Sequence, residues 1–483
     1  MTEKIEELRK VRIQKLEQLK NLGVDPYPVD SERSQTVGQA IKNFEQLAGD
    51  QTKLTLAGRV KSIRIHGKLI FGNLEDETGS TQFLLRADVV GEKLFQEFDF
   101  FDIGDFLQTT GHMSLSKTGE KTLEVETYKL LAKSLRPIPA EYFGLKDLET
   151  RLRKRYLDLL TNSETRELFR KKMIFWKTIR DFLEGREFLE VQVPVFESVP
   201  GGAEAEPFVT RHNALNQDFY LRISLELPLK KLVVGGFEKV FEIGRVFRNE
   251  GVSTEHLQDY TQMEFYWAYS EYNQLMDMVQ QMYQTTIQNI TGGLKTTYDG
   301  QEIDWSGDWP KLRYFDLFGK HTGLDLNTVS DSDLREYTKA EHIKIEANQG
   351  RGRLIDLIYK KKVRPMLVQP CFLINPPVEI EPLAKKDPKN PKEVQRMQIL
   401  AGGTELGKGF SELNDPLDQR ARFEQQMKLR ETGDKEAQML DEDYLEAMEY
   451  GMPPMAGFGL SERLFAVIMD KSVRETTIFP PMK

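Results

Sequence analysis

The sequence predicts an α+β fold, with a small β-barrel near the N-terminus and a large domain that mixes helices and strands. The chain has 483 residues, more than one ordinary domain contains. Five short strand-like runs lie within residues 53–135. Long helix-like segments and alternating strands follow in residues 163–483. We therefore predict a helical extension over 1–50, a barrel over 51–136, a basic linker over 137–162 and a large domain over 163–483.

The composition indicates a soluble globular protein, with 39% hydrophobic and 30% charged residues. The one cysteine, Cys371, excludes an internal disulfide and fits a reducing compartment. The six histidines lack the spacing of zinc ligands. The charged N-terminal segment is unlike a secretory signal, and no apolar run is long enough to cross a bilayer. We expect a cytoplasmic protein with no membrane partner.

Positive charge is concentrated in one segment. The net charge of −9 argues against a protein that coats nucleic acid. Residues 146–180, however, hold eleven Lys and Arg against five Asp and Glu. A locally basic region on an acidic protein suits an RNA partner that must be released, and equally suits a solvated helix face.

The N-terminal third predicts a helix followed by the barrel. Apolar residues keep helical spacing over residues 3–22, and Gly23 is a plausible cap. The strand-like runs that follow are separated by His-Gly and Thr-Gly turns. Their number and size suit an OB-fold, which often binds single-stranded nucleic acid. An SH3-like barrel and a small sandwich remain open alternatives.

A hairpin over residues 240–269 predicts a binding pocket. Tyr260, Gln262, Glu264 and Tyr266 share one face of its second strand, while apolar residues share the other. A sheet with one apolar and one charged face has its back on a core and its front toward something polar. Arg248 and Glu250, at the end of the first strand, add charge to the same region.

Several ordered motifs resemble a known family. FRNEG in the hairpin resembles motif 2 of the class II aminoacyl-tRNA synthetases, and FLEVQVPVF resembles motif 1. VPGGAEAEPF, GKGFSELNDP, GMPPMAGFG and RETTIFPPM resemble segments of the lysyl-tRNA synthetases. The resemblance implies an OB-fold anticodon-binding domain and a class II catalytic domain on an antiparallel sheet with flanking helices. It also implies a homodimer that uses ATP to join L-lysine to tRNA(Lys) through lysyl-adenylate, releasing AMP and diphosphate.

The resemblance assigns roles to individual residues. Arg248 is expected to bind the α-phosphate of ATP, where a guanidinium can contact two oxygens, and Arg463 matches the arginine of motif 3. The resemblance places Glu250 and Tyr260 against adenine and His256 near the terminal phosphates. The expected catalytic residues are Arg248 and Arg463.

The resemblance also assigns residues that bind lysine and residues that bind the anticodon. The lysine side chain is expected to meet Glu412 and Tyr266. The α-ammonium is expected to meet Glu226, Glu264 and the carbonyl of Gly202. An acidic pocket needs cationic ligand groups, which disfavours aspartate and asparagine. Arg64, Phe71 and Gln82 match positions that contact anticodon bases; for Phe71, a place in the barrel core is the alternative.

Some positions depart from the family. Glu405 matches a carboxylate that binds Mg²⁺, but Gln398 stands where a second acidic ligand is usual. Lys408 replaces an asparagine, and motif 3 is one residue short before Arg463. These departures predict fewer magnesium ions than in typical relatives, with Lys408 doing part of the work of one ion. In the alternative, Lys408 points to solvent and Gln398 keeps one oxygen ligand.

Other functions stay open at this point. One alternative is a non-catalytic RNA-binding or regulatory paralogue that kept the fold. A second is an aspartyl- or asparaginyl-tRNA synthetase, and a third is a ligase that lysylates a protein.

Overall fold

In the computed structural model, the chain forms two compact units, Met1–Lys146 and Asp147–Lys483. The structure describes residues 2–139, 147–251, 257–345, 349–431, 433–434 and 436–482. The predicted linker over 137–162 differs from this division, because residues 147–162 belong to the second unit and are largely helical.

The first unit contains a closed five-stranded barrel. Its strands are β1 (Leu54–His66), β2 (Leu69–Asp76), β3 (Gly79–Arg86), β4 (Phe106–Leu115) and β5 (Lys121–Ala132). Its helices are α1 (Thr2–Asn21), α2 (Val37–Lys42), α3 (Phe44–Gly49), α4 (Ala87–Val90) and α5 (Glu92–Glu97). The barrel closes in the order β1-β2-β3-β5-β4, and β3 and β5 run parallel. This order is that of an OB-fold, and the prediction of that fold is confirmed.

The N-terminal segment packs onto the barrel. Leu19, Val37 and Phe44 are buried in the same hydrophobic cluster as the barrel interior. The Arg12 guanidinium of α1 donates to the carbonyl oxygens of Ile103, at 2.9 Å, and Ser134, at 3.1 Å. Residues 1–50 therefore form one unit with the barrel.

The second unit is built on an eight-stranded sheet, with a smaller sheet of three strands, β7-β9-β8, and one of two, β12-β13. The strands of the whole unit are β6 (Leu189–Glu190), β7 (Phe196–Glu197), β8 (Val209–His212), β9 (Gln217–Leu221), β10 (Lys239–Phe247), β11 (Asp259–Ala268), β12 (Lys295–Tyr298), β13 (Gln301–Asp304), β14 (Lys311–Arg313), β15 (Cys371–Ile374), β16 (Arg396–Ala401), β17 (Thr404–Ser411) and β18 (Met455–Ser461). The main sheet has the order β14-β15-β16-β17-β18-β11-β10-β6. It is antiparallel except for the outermost pair at each edge.

Helices flank the sheet, as predicted. They are α6 (Leu148–Arg153), α7 (Arg155–Thr161), α8 (Ser163–Glu184), α9 (Glu226–Val234), α10 (Tyr272–Thr291), α11 (Tyr314–Thr322), α12 (Asp331–Ala340), α13 (Arg351–Lys362), α14 (Pro416–Glu431), α15 (Glu442–Glu449) and α16 (Arg463–Ile468). Helices α8 and α10 share one core with Met263 and Phe265 of β11. The opposite face of β11 presents Gln262, Glu264 and Tyr266 to a cavity. The alternation predicted for the hairpin is thus confirmed.

Two basic residues of the 146–180 segment, Arg155 and Lys172, are buried inside the second unit. Arg155 is buried, pairs with Asp158 at 2.8 Å and donates to the carbonyl oxygen of Glu475 at 3.0 Å. Lys172 is also buried and pairs with Glu462. These cations hold helices against the C-terminal segment, so the net charge of this stretch overstates what is open to RNA.

Candidate active site

A cavity of about 750 Å³ lies on the polar face of β11. Ten residues predicted from the sequence line it, and they come from strands, helices and loops far apart in the chain. They are Gly202, Glu226, Arg248, Glu250, Tyr260, Glu264, Tyr266, Glu405, Glu412 and Arg463. His256 lies outside the described residues. The structure brings the ten together, and the role of each stays a prediction.

One end of the cavity is acidic and rigidly held. Glu264 is buried, and its Oε1 accepts hydrogen bonds from Ser224 Oγ at 2.7 Å, Leu225 N at 3.0 Å and Gln262 Nε2 at 2.6 Å. Its Oε2 accepts from the Tyr266 hydroxyl at 3.1 Å. Four donors on neighbouring residues fix the position of the two carboxylate oxygens. Glu264 is therefore oriented for a cationic group without any ligand.

Two more buried carboxylates lie at the acidic end, on either side of a lysine. Lys230 Nζ lies 2.5 Å from Glu226 Oε1 and also pairs with Glu412 Oε2. Burial raises the pKa of Glu226 and, more strongly, that of Glu412, against the opposing effect of Lys230. Burial alone would lower the pKa of Lys230, but the two carboxylates raise it above its usual value. The sequence prediction did not include Lys230.

Two glycines leave room for the side chains that are packed at this end. A Cβ on Gly457 of β18 would overlap Glu412 Oε1 and the Tyr266 ring. Gly202 has a φ of +81°, and a Cβ there would lie 2.7 Å from the Cβ of Glu226. The GMPPMAGFG and VPGGAEAEPF motifs thus have a steric reason for their glycines.

The other end of the cavity carries arginines. The Arg248 guanidinium lies 5.5 Å from the centre of the Tyr260 ring, and its Nε donates to Ile223 O at 3.3 Å. Arg248 N donates to Gln258 O at 2.7 Å, which joins the two strands of the hairpin beyond β10. Burial raises the pKa of the nearby Glu250, and Arg248 opposes that effect. Arg463, the first residue of α16, donates to Glu405 O at 3.4 Å.

The surroundings of Glu405 are cationic. Burial would raise the pKa of Glu405, but Arg396, Lys408 and Arg463 together lower it. Gln398 Nε2 donates to Glu405 Oε2, and the Tyr359 hydroxyl donates to Gln398 Oε1 at 3.2 Å. Within the described ranges, the structure has no cluster of three Asp, Glu, His or Cys residues able to hold a metal. A single carboxylate fits a magnesium ion that is bound mainly by phosphates and water.

Lys408 does not point freely into solvent. It lines the cavity, and its ammonium lies 3.1 Å from Glu381 Oε2. Arg396 Nε lies 3.4 Å from the same oxygen. Glu381 thus shares one negative charge between Lys408 and Arg396. It was not predicted as a site residue.

A further ion-pair network lies on the wall formed by α13. Arg353 pairs with Glu204 at 2.9 Å, Asp434 at 3.2 Å and Glu436 at 3.2 Å. Sequence analysis missed these residues because their partners lie 81 to 149 positions away. The one visible signal was Glu204 within the VPGGAEAEPF motif.

The predicted anticodon residues share the outer face of the barrel. Arg64 pairs directly with Phe71 across β1 and β2, and Phe71 is half-buried. Among the described residues, Phe71 is outside the barrel core, whereas its neighbours Ile70 and Phe83 belong to it. Gln82 is buried, accepts from Thr122 Oγ1 at 2.9 Å and donates to Glu120. The placement favours Phe71 as a stacking surface.

Comparisons with known proteins agree with this geometry. Residues 147–483 match the family described as tRNA synthetases class II (D, K and N). Residues 54–131 match the family described as OB-fold nucleic acid binding domain. A class II tRNA synthetase is therefore the class of protein that the fold and the cavity define.

Curated relatives narrow the class. The Lysine--tRNA ligase of Thermoanaerobacter sp. (strain X514) is 43% identical over 486 residues, covering 100% of this chain and 97% of the relative. That of Moorella thermoacetica is 42% identical over 480 residues, covering 99% of this chain and 98% of the relative. That of Carboxydothermus hydrogenoformans is 41% identical over 485 residues, covering 100% of this chain and 99% of the relative. The chain belongs to the lysine–tRNA ligase family, which confirms the resemblance. In the part of the chain that the structure describes, no helix is long and apolar enough to span a membrane.

Proposed function

We propose that the protein is an enzyme that joins L-lysine to tRNA(Lys) at the expense of ATP, with lysyl-adenylate as intermediate. The observation that carries this proposal is the separation of charge in one cavity. Glu226, Glu264 and Glu412 are grouped around Lys230 and Tyr266, and the same cavity is lined by Arg248, beside Tyr260, and Arg463, beside Glu405. The acidic end complements the two ammonium groups of lysine, and the cationic end complements a triphosphate.

In the first step, a carboxylate oxygen of lysine attacks the α-phosphorus of ATP, and diphosphate leaves. Positioning and charge neutralisation carry such a reaction, which needs no protein nucleophile. Arg248 binds the α-phosphate and the attacking carboxylate, Arg463 binds ATP, and Glu250 and Tyr260 hold adenine. In the second step, a terminal ribose hydroxyl of the tRNA attacks the adenylate carbonyl carbon, and AMP leaves.

Amino-acid choice follows from the acidic end. Glu412 and Tyr266 receive the side-chain ammonium, while Glu226, Glu264 and the Gly202 carbonyl receive the α-ammonium. A site built around charged hydrogen bonds rejects analogues that leave a buried carboxylate unpaired. Aspartate would place its side-chain carboxylate, instead of an ammonium group, in an already acidic end.

The decisive experiment is ATP–diphosphate exchange with each of the twenty amino acids, followed by charging of tRNA(Lys). We expect exchange with lysine alone and transfer to the tRNA. Absence of exchange with every amino acid would instead indicate a non-catalytic paralogue. Exchange without tRNA charging would point to another acceptor. Because the substrates tRNA and ATP serve protein synthesis, we place the reaction in the cytoplasm.

A Mg²⁺ ion bound to the ATP phosphates would be held by Glu405, and it supplies charge neutralisation and orientation for them. We further propose that fewer magnesium ions are needed than in typical relatives. Lys408 and Arg396 carry two positive charges and share the one negative charge of Glu381, so one net positive charge remains beside Glu405. A fixed cation can neutralise phosphate charge without the geometry of a metal.

The test is the dependence of diphosphate exchange on free Mg²⁺, with ATP saturated with its own metal. The double variant Gln398→Glu, Lys408→Asn should show a steeper dependence than the wild type. Identical curves, or three magnesium ions in an ATP complex of the wild type, would contradict the proposal. Exchange measured at one saturating Mg²⁺ concentration is the control for general damage.

We also propose a homodimer. Apolar side chains are exposed around motif 1: Leu189, Phe196 and Val209 are 46%, 59% and 60% exposed. An exposed apolar group of this kind is typical of an interface. Light scattering should give twice the mass of the chain, and Phe196→Asp with Val209→Asp should give the mass of one. A wild-type monomer at micromolar concentration would exclude the dimer.

A further inference from the structure

The most deeply buried cation of the acidic end is part of the protein itself. Lys230 is 0% exposed, lies on α9 one turn after Glu226 and contacts Glu412 from a distant part of the chain. Its ammonium also faces the rings of Tyr266, at 5.7 Å, and Phe410, at 5.4 Å. It is therefore shared between two carboxylates assigned above to lysine binding.

The cluster of Glu226, Lys230 and Glu412 is one positive charge short. Two carboxylates and one ammonium leave a net charge of −1 when all are ionised, and the carboxylates are only 5% and 2% exposed. An uncompensated buried charge is costly, so the cluster favours either a proton or a second cation. A ligand that brings an ammonium group supplies that second cation.

The missing charge has a defined place. Lys230 forms an ion pair with Glu412 Oε2, and neither oxygen of Glu412 has a hydrogen-bond partner within the described residues. Oε1 lies beside Tyr266, in the space that a side chain on Gly457 would occupy. The one ammonium within ion-pair distance of Glu412 among the described residues is thus shared with Glu226, and Glu412 lines the cavity that would hold a ligand.

We propose that Lys230 is a specificity-determining positioning residue: it is the permanent half of the counter-charge for Glu226 and Glu412, and an ammonium group of the substrate is the other half. This rests on the proposed function. Without lysine, the cluster holds a proton in the neutral range, because burial and a single shared cation favour the protonated acid. Lysine then binds with release of that proton.

The proton release can be measured and its sign follows directly. Binding favours the ionised carboxylates, so lysine affinity should rise with pH through the neutral range and level off where the free cluster is already ionised. The charged and titratable groups that face the cluster from neighbouring elements are Glu264, Tyr266, Glu381, Lys408 and Tyr444. Calorimetry of lysine binding at pH 7 in two buffers with different ionisation enthalpies should show release of up to about one proton.

The variant Lys230→Met keeps the length of the side chain and removes the charge. We expect the KM for lysine in diphosphate exchange to rise at least about tenfold at pH 7, with a smaller change in kcat. The rise of affinity with pH should be steeper, since two acids must now ionise. The matched control is Lys231→Met, whose side chain is partly exposed and pairs with Asp443 on the protein surface; it should keep the wild-type KM and pH profile.

Several outcomes would overturn the inference. One is lysine binding by the wild type without proton release. A second is a Lys230→Met enzyme with the KM and pH profile of the wild type. A third is a Lys230→Met enzyme that binds lysine more tightly, which would make Lys230 a competitor of the substrate. Proton release by the wild type decides the matter even if Lys230→Met does not fold. Absence of any lysine-dependent exchange in the wild type would refute the proposed function instead, so the two failures are distinguishable.

Discussion

At the acidic end of the cavity, four donors hold the carboxylate of Glu264 in place, whereas the side chain of Arg248 at the other end makes a longer hydrogen bond. Glu264 accepts four hydrogen bonds, the longest of them 3.1 Å. Arg248 Nε donates to the carbonyl oxygen of Ile223 over 3.3 Å, and a bond of that length is weak. On the proposed function, this difference means that the lysine site is preorganised, while Arg248 makes its strong contacts with phosphate.

The largest effect is expected from Arg248→Ala. On the proposed function it removes the cation that binds the reacting phosphate, and such a contact is typically worth about 3–4 kcal/mol in a preorganised site. Lysine-dependent exchange should fall by a factor of about 100–1,000. The control is Arg245→Ala, an exposed arginine three residues earlier, on β10, that pairs with Asp259. Activity of Arg248→Ala within threefold of the control would remove Arg248 from the chemistry.

At the acidic end, Gly457→Ala should raise the KM for lysine more than that for ATP. The added Cβ must displace Glu412 or Tyr266, and overpacking of this kind costs about 1–3 kcal/mol. Gly293→Ala is the matched control, because a Cβ there has nothing within 4 Å. Equal increases in both KM values would mean that the two ends are not independent.

Phe71→Ala should leave both ends of the cavity unchanged. Loss of a stacking platform typically costs about 1–3 kcal/mol, and only tRNA charging should show it. Diphosphate exchange is the internal control, and Phe83→Ala, which removes a fully buried barrel residue, shows what unfolding of the barrel does. If Phe71→Ala lowered both activities, Phe71 would have a structural role.

The smallest effect is expected from Ser224→Ala, which removes one of the four donors to Glu264. One hydrogen bond to a charged group contributes about 1.5–3 kcal/mol at most, and the three remaining donors compensate in part. We expect a KM for lysine about three- to tenfold higher, and an unchanged KM for ATP. A loss as large as that of Arg248→Ala would show that Glu264 depends on one donor.

Sequence patterns predicted those parts of the site that lie on regular strands or in family motifs. Alternation places Gln262, Glu264 and Tyr266 on one face, because successive side chains of a strand point in opposite directions. Lys230 could have been noticed as a charge within the apolar helix ELPLKKLVV, four residues after Glu226. Its contact with Glu412, however, depends on how α9 packs against the loop after β17.

Loop contacts and charge pairing were not predictable in the same way. Glu381 meets Lys408 and Arg396 only because a loop and two strands converge. Similarly, a count of charges along residues 146–180 cannot tell that Arg155 and Lys172 are buried. Charge along a chain is a sum, whereas recognition depends on which of those charges still face solvent.

The contacts of Arg155 and Lys172 connect the C-terminal segment to the start of α16, which carries Arg463. Arg155 donates to the carbonyl oxygens of Glu475 and Ile478, and Lys172 donates to that of Thr476 at 2.7 Å. Lys172 also pairs with Glu462, the residue directly before Arg463. A chain that ends before Glu475 lacks the backbone acceptors of two buried cations, Arg155 and Lys172. Because Lys172 also pairs with Glu462, the start of α16 would be less firmly held. We therefore expect expression variants shortened at this point to have Arg463 out of position.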